Sequence, residues 1–205
     1  MPDPESPPVP DADRVFWNLK HGQVTVGGGT PRPWLVDHEA LINEQLPGRA
    51  LDVACGRGND ALYFAQLGFE VDALDVSDVA VDRVRTAAQE RGLDVQATRV
   101  DLLTTPEPFP RPPYDVISGF YFLLRPLLPR LAQVLAPGGL LFYETFSRDH
   151  DELLGRDMPK RYMLDHNELL TAFADLRVLD YRDTVIGEER ARAVASIVAR
   201  RPASE

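Results

Sequence analysis

Leu51-Asp52-Val53-Ala54-Cys55-Gly56-Arg57-Gly58-Asn59-Asp60 is the stretch whose reading decides the fold. Arg49 to Ala54 has the apolar content of a short buried strand, and Asn59 to Leu67 reads as a helix that Gly68 closes. Between them, Gly56 and Gly58 let the chain turn sharply and let a ligand approach the backbone without Cβ interference. A strand, a glycine turn and a helix in that order open a nucleotide-binding α/β sheet.

The same alternation continues outward. Phe69 to Val76 is a second strand, Ser77 caps a helix running to Arg91 with Gly92 as its stop, and Val95 to Val100 is a third strand. Tyr114 to Gly119 and Leu140 to Thr145 follow as strands four and five, separated by a helix opened by Pro126 or Pro129 and ended by Ala136-Pro137-Gly138-Gly139. Asp165 with Glu168 forms a capping box for a helix through Phe173. Arg177 to Ile186 and Ala191 to Arg200 lie a short turn apart and should pair as an antiparallel hairpin. Ala193 to Ala199 is apolar on both faces, which suits a strand inserted within the sheet. Upstream, Leu35, Leu41, Ile42 and Leu46 give one helix over Trp34 to Leu46. Before it, Val15-Phe16-Trp17 is a short aromatic segment, and His21 to Pro33 is a loop whose Gly27-Gly28-Gly29 suggests a lid hinge. Residues 1–12, with five prolines among acidic and small residues, read as a disordered tail. The expected architecture is α/β: one domain over residues 13–203, a mostly parallel sheet with helices on both faces, and an N-terminal closing segment with the first helix over residues 13–47.

Composition narrows the function. The chain has 205 residues and a formal net charge of -10. That charge repels a phosphate backbone, and no window concentrates enough Lys and Arg to overcome it, so nucleic acid is not expected as a partner. Lysine occurs only at Lys20 and Lys160. No apolar run is long enough to span a membrane and the start lacks a secretory pattern, so a cytoplasmic protein is expected. Cys55 is the single cysteine, which rules out an internal disulfide and a cysteine-based metal site. The histidines (His21, His38, His150 and His166) are dispersed without metal-ligand spacing, and no metal is expected.

Gly56, Gly58 and Ala61 satisfy G-x-G-x-x-[GA], and Asp75 ends the next strand, so the motif alone fits both a nicotinamide dinucleotide and S-adenosylmethionine. The neighbouring charges favour the second. Asp52 and Asp60 bring carboxylates to the helix start, where a dinucleotide would put its pyrophosphate. S-adenosylmethionine carries an ammonium and a sulfonium and no phosphate. Asp75 is positioned to accept both ribose hydroxyls. Asp101 is positioned to accept from the adenine amino group while Val76 and Leu102 sandwich the ring. Ser118, Gly119 and Phe120 close strand four near the methionine part.

Leu51 to Asn59, Leu74-Asp75-Val76-Ser77, Thr98 to Leu102, Tyr114 to Ile117 and Leu135 to Gly139 resemble, in order, the motifs of class I S-adenosylmethionine-dependent methyltransferases. The resemblance covers roughly residues 45–145 and implies a Rossmann-like, seven-stranded sheet with a C-terminal antiparallel hairpin. Within the class the chain looks most like the bacterial tellurite-resistance and thiopurine-type branch, including Trp17-Asn18-Leu19-Lys20-His21. That likeness implies that Trp17 and Lys20 close over the methionine end, Lys20 meeting the cofactor carboxylate. The cofactor would rest on Ala54, Cys55, Gly56, Gly58 and Asp60. Ser118-Gly119-Phe120-Tyr121 stands where amino methyltransferases of DNA carry Asn/Asp-Pro-Pro-Tyr/Phe, which disfavours that reaction.

The expected function is methyl transfer to a small molecule by a monomer or weak homodimer. Tyr121, Tyr143 and Arg161 are candidate substrate contacts. No catalytic base stands out, which favours a thiol or chalcogen acceptor, since oxygen and nitrogen acceptors usually need proton removal. Cys55 reads as packing beside a glycine turn rather than as a nucleophile. Two rivals remain open: an NAD-dependent oxidoreductase, and a non-catalytic S-adenosylmethionine sensor or partner subunit.

Overall fold

The computed structural model describes residues 11–23, 29–155, 158–188 and 191–203. The proline-rich residues 1–10 and most of the expected hinge, including Gly27 and Gly28, lie outside them. The helices are α1 (Ala12–Gly22), α2 (Pro33–Val36), α3 (Glu39–Asn43), α4 (Asn59–Leu67), α5 (Asp78–Arg91), α6 (Leu128–Val134), α7 (Asp149–Glu152) and α8 (Glu168–Ala172). The strands are β1 (Arg49–Val53), β2 (Glu70–Asp75), β3 (Val95–Arg99), β4 (Tyr114–Phe120), β5 (Leu135–Phe146), β6 (Arg177–Ile186) and β7 (Arg192–Arg200).

The strands form one seven-stranded sheet in the order β3-β2-β1-β4-β5-β7-β6. β1 to β5 pair in parallel, while β7 runs antiparallel to both β5 and β6. The inserted position expected for residues 193–199 is therefore found, and every residue from Ala193 to Ala199 is buried. Side chains alternate between two cores. Leu51, Ile117, Leu141, Tyr143 and Ile197 join Leu128 and Leu131 of α6 and Leu169 of α8 on one face. Ala50, Val116, Phe142 and Val198 join Leu35, Ile42, Phe64, Val81 and Val84 on the other, beneath α2 to α5. The strict two-residue alternation is what lets one sheet serve two helical layers.

A buried polar knot ties β2 to β4. Asp72 is fully buried; its carboxylate accepts from Arg111 at 2.8 Å and from the Tyr114 hydroxyl at 2.7 Å. Ser77 caps α5 as expected, accepting from the Ala80 N–H at 3.2 Å, a contact worth about 1 kcal/mol.

Three expectations change. The aromatic segment around Trp17 is part of α1, which reaches Gly22. Arg14 pairs with Asp78 at 3.0 Å, and Asn18 accepts from the Ser77 hydroxyl at 2.7 Å, fastening α1 to the start of α5. The single helix over Trp34 to Leu46 is two short ones, broken where His38 Nδ1 meets the Trp34 carbonyl at 2.8 Å and Nε2 meets Asp180 at 3.1 Å. The capping box forms only in part. Glu168 accepts from the Asp165 N–H at 2.7 Å, but the Asp165 carboxylate turns to Arg148.

Candidate functional site

The carboxyl ends of β1 to β5 and the start of β7 meet at one edge of the sheet, and α1 crosses above them. Between them lies a cleft of about 670 Å³, within the range that holds a small molecule. Its wall changes character along the strand order. Ala54, Cys55, Gly56 and Asp60 follow β1, Asp75 and Val76 follow β2, and Asp101 and Leu102 follow β3. Phe120, Tyr121 and Phe122 follow β4, Phe146 ends β5, and Arg192 begins β7. Carboxylates, with Arg57 among them, therefore line one half, and aromatic rings with Arg32 and Arg192 line the other.

The loop after β1 owes its shape to two different demands. Gly56 has φ +53 and opens on the cleft, where an added Cβ would meet nothing nearer than His21 Cε1 at 3.5 Å. Its N–H donates to Asp75 Oδ2 at 2.8 Å, while the Ser77 N–H donates to Asp75 Oδ1 at 2.8 Å. Gly58, with φ +71, faces away: its Cβ would stand 2.3 Å from Val84 Cγ2. It is required for the approach of α5, not for ligand contact. Gly58→Ala should cost about 2–4 kcal/mol in urea unfolding, with Val84→Ala recovering part of the loss. Ala54 and Tyr121 also take left-handed backbone conformations, at φ 53 and φ 55, on the cleft wall. Strain of this kind in residues with a Cβ persists where a site is over-determined.

Asp52 and Ser118 are buried and do not line the cleft. The Ser118 hydroxyl donates to Asp52 Oδ1 at 2.9 Å, and the buried Oδ2 has no partner among the described residues. Burial, followed by the charge of Asp60, holds the Asp52 carboxyl well above the usual carboxylate range. Asp60 is also raised, mainly by burial, although the Arg32 N–H donates to it at 2.8 Å and the Arg32 guanidinium lies 3.5 Å away. Because folded Asp52 keeps its proton to a higher pH than the unfolded chain does, the folded state binds more protons through that window. Stability from this group is therefore lost as pH rises. Asp52→Asn should raise the melting temperature of the ligand-free protein more at pH 8 than at pH 5; a gain independent of pH would contradict the assignment.

Burial, with Asp75 and Asp52 nearby, pushes the Cys55 thiol well up, so it stays protonated, in keeping with a packing role. His21 stacks on Trp17 at 5.7 Å. Burial and the charges of Arg57 and Arg83 lower its pKa against the pull of Asp75, leaving it neutral near pH 7.

The structure brings together Trp17, Ala54, Cys55, Gly56, Asp60, Asp75, Val76, Asp101, Leu102, Phe120 and Tyr121 of the sequence candidates. Lys20, Tyr143 and Arg161, expected at the site, do not line the cleft, and neither do Asp52, Gly58 and Ser118. Lys20 turns over the Phe16 ring at 5.5 Å, because on a helix the residues sharing the cleft face of Trp17 are Asp13 and His21. Tyr143 is buried against Phe173, its hydroxyl donating to the Phe122 carbonyl. Arg161 lies over Tyr162 at the surface. Asp13, Arg32, Phe146 and Arg192 were missed. Only the 13-17-21 spacing on α1 offered a sequence signal for any of them. Away from the cleft, ligand atoms of Asp149, Glu152 and His166 lie within 4.8 Å of one another at the surface, and no described helix is long and apolar enough to cross a membrane.

Residues 50–139, which hold the ends of β1 to β4, match the family described as a methyltransferase domain. Over that stretch the chain is similar to methyltransferase domains. The chain is 31% identical over 122 residues to a ubiquinone biosynthesis O-methyltransferase of Caulobacter vibrioides, covering 56% of this chain and 47% of that protein. Hemagglutinin 1 of Eikenella corrodens is 27% identical over 182 residues, 83% of this chain and 55% of that protein. The chain thus spans about half the length of the curated relatives it matches. Among solved structures, TehB from Haemophilus influenzae shares the methyltransferase fold with a TM-score of 0.70 at 18% identity, over 92% of this chain and 66% of TehB.

Proposed function

We propose that the protein transfers the methyl group of S-adenosylmethionine to a small molecule whose nucleophile is a soft atom, a thiol sulfur or a heavier chalcogen. One observation carries the first part: the cleft half along β1 to β3 offers the carboxylates of Asp60, Asp75 and Asp101 beside the open face of Gly56. The ammonium, ribose hydroxyls and adenine amine of S-adenosylmethionine are donors that suit such acceptors, whereas a dinucleotide pyrophosphate would meet carboxylate at the start of α4.

In this reading Asp75 holds the ribose, Asp101 the adenine amine, and Val76 and Leu102 the ring faces, while Trp17 and His21 of α1 cover the cofactor. Bound S-adenosylmethionine supplies a methyl on a sulfonium; the acceptor lone pair takes it as the old carbon–sulfur bond breaks, and a thiol proton leaves to solvent. The protein's share is to hold the acceptor close and in line. The soft acceptor is supported by the groups on the β4 to β7 half. Burial, and then Glu144, raises the Tyr121 pKa, and Glu144 itself is committed to Arg182 at 2.9 Å and Ser196 at 2.6 Å. Neither serves as a base near pH 7.

Thermal shift with S-adenosylhomocysteine and with NADH separates the cofactors, because only a bound ligand stabilises by mass action. Labelled methyl transfer to a panel of thiols, selenols, phenols and quinols then tests the acceptor. Transfer confined to oxygen acceptors, as the names of the ubiquinone relatives suggest for those proteins, would overturn the soft-atom part. Binding of cofactor with no transfer to any acceptor would favour the sensor.

A further inference from the structure

The cation-lined half of the cleft has a feature that methyl transfer in general does not require. Two guanidiniums lie over the ring of Tyr121: the Cζ of Arg32 is 4.6 Å from its centroid and that of Arg192 is 5.3 Å away. The two are not equivalent. Arg32 is matched by Asp60 through its backbone N–H and a 3.5 Å ion pair. Arg192 pairs with no carboxylate among the described residues, and its Nη1 reaches only the Tyr121 hydroxyl, at 3.5 Å. The carboxylate at this end of the sheet, Glu144, is already held by Arg182 and Ser196.

An uncompensated guanidinium in a half-buried, aromatic-walled cleft is unfavourable unless an anion completes it. The chain has 32 acidic and 22 basic residues, so carboxylates are the commoner partner, yet none described is supplied here. Beside Arg192 the rings of Tyr121 and Phe146 stand 5.1 Å apart at 41°, a wall against which a flat body can lie. The backbone of Tyr121 takes a left-handed conformation, and its N–H donates to the Glu144 carbonyl at 2.8 Å, which fastens this wall to β5.

We propose that Arg192 anchors the acceptor by a carboxylate, and that the acceptor is a small, flat, carboxylate-bearing molecule lying on Tyr121 and Phe146. The proposal rests on the methyl-transfer reading for the word acceptor, but its binding geometry does not depend on turnover. A bidentate guanidinium–carboxylate contact orients as well as attracts, which an in-line displacement requires.

The test is calorimetric titration of the full chain saturated with S-adenosylhomocysteine, so that no transfer occurs, using 2-mercaptobenzoate and the uncharged 2-mercaptobenzamide as probes. The wild type should bind the carboxylate at least about tenfold more tightly than the amide. Arg192→Gln should remove that preference while leaving the amide and S-adenosylhomocysteine affinities unchanged, and Arg192→Lys should retain part of it. Equal affinities in the wild type, no measurable binding of 2-mercaptobenzoate, or a preference that survives Arg192→Gln would each overturn the proposal. Failure of both probes as methyl acceptors, with the binding preference intact, would count against the soft-atom reading and leave this one standing.

Discussion

Asp75→Ala is expected to abolish the stabilisation that S-adenosylhomocysteine gives the wild-type protein. At a ligand concentration of about 100 times Kd, binding should add about 2.7 kcal/mol, equivalent to a rise of roughly 5–10 °C in melting temperature for a chain of this size. Asp75 is buried at the carboxyl end of β2, and its two oxygens accept from the N–H groups of Gly56 and Ser77 at 2.8 Å each. It thus shapes the cofactor loop and the start of α5 together, with lone pairs left over for a ligand. Removing it takes away hydrogen bonds to a charged acceptor worth about 1.5–3 kcal/mol each, so affinity should fall by on the order of a hundredfold or more. Asp75→Asn separates the two roles. Its remaining carbonyl oxygen can hold one backbone N–H, so the ligand-free protein should stay folded while the thermal shift still collapses. An Asp75→Asn protein that binds S-adenosylhomocysteine like the wild type would refute the assignment.

The largest stability loss is expected away from the cleft, at Asp72. Asp72→Ala leaves the Arg111 guanidinium and the Tyr114 hydroxyl without their shared acceptor inside the sheet. Breaking a buried pair in this way costs about 3–5 kcal/mol, a large part of the 5–15 kcal/mol that stabilises a typical domain. Burial and the Asp72 hydrogen bond both push the Tyr114 hydroxyl pKa upward, consistent with a donor locked to a carboxylate. A double-mutant cycle with Tyr114→Phe checks the origin of the loss. If the two act through one contact, the double variant should lose clearly less than the sum of the single variants; strict additivity would show that they act apart.

Much of this architecture is legible in the sequence because it is written in local patterns. Glycines at Gly58, Gly68 and Gly92 and the cap at Ser77 set the element boundaries, and the apolar run from Ala193 to Ala199 announces a strand with neighbours on both sides. The acidic half of the cleft is legible for the same reason, since Asp60, Asp75 and Asp101 each follow directly on a readable strand or turn. The other half is not. Arg32 and Arg192 are separated in the chain from Tyr121 and meet it only in the tertiary fold. Tyr143 shows the limit of position along a strand: it is near the end of β5, but the alternation of faces sends it to the core beside Phe173 instead of to the ligand. Lys20 fails by one residue of helical phase. The broken helix near His38 reflects side-chain contacts with Asp180, which no local pattern encodes.

The insertion of β7 between β5 and β6 also fixes an order of events during synthesis. Residues 192–200 follow every other strand in the chain, so as translation proceeds the outer edge of β5 has no partner until they emerge from the ribosome. Until then Leu140 to Thr145, buried throughout in the finished molecule, presents an apolar strand with free backbone groups, the kind of edge on which nascent chains associate wrongly. A pause or truncation before Arg192 should therefore do more than remove a strand. It should leave an intermediate that recruits copies of itself or calls on a chaperone.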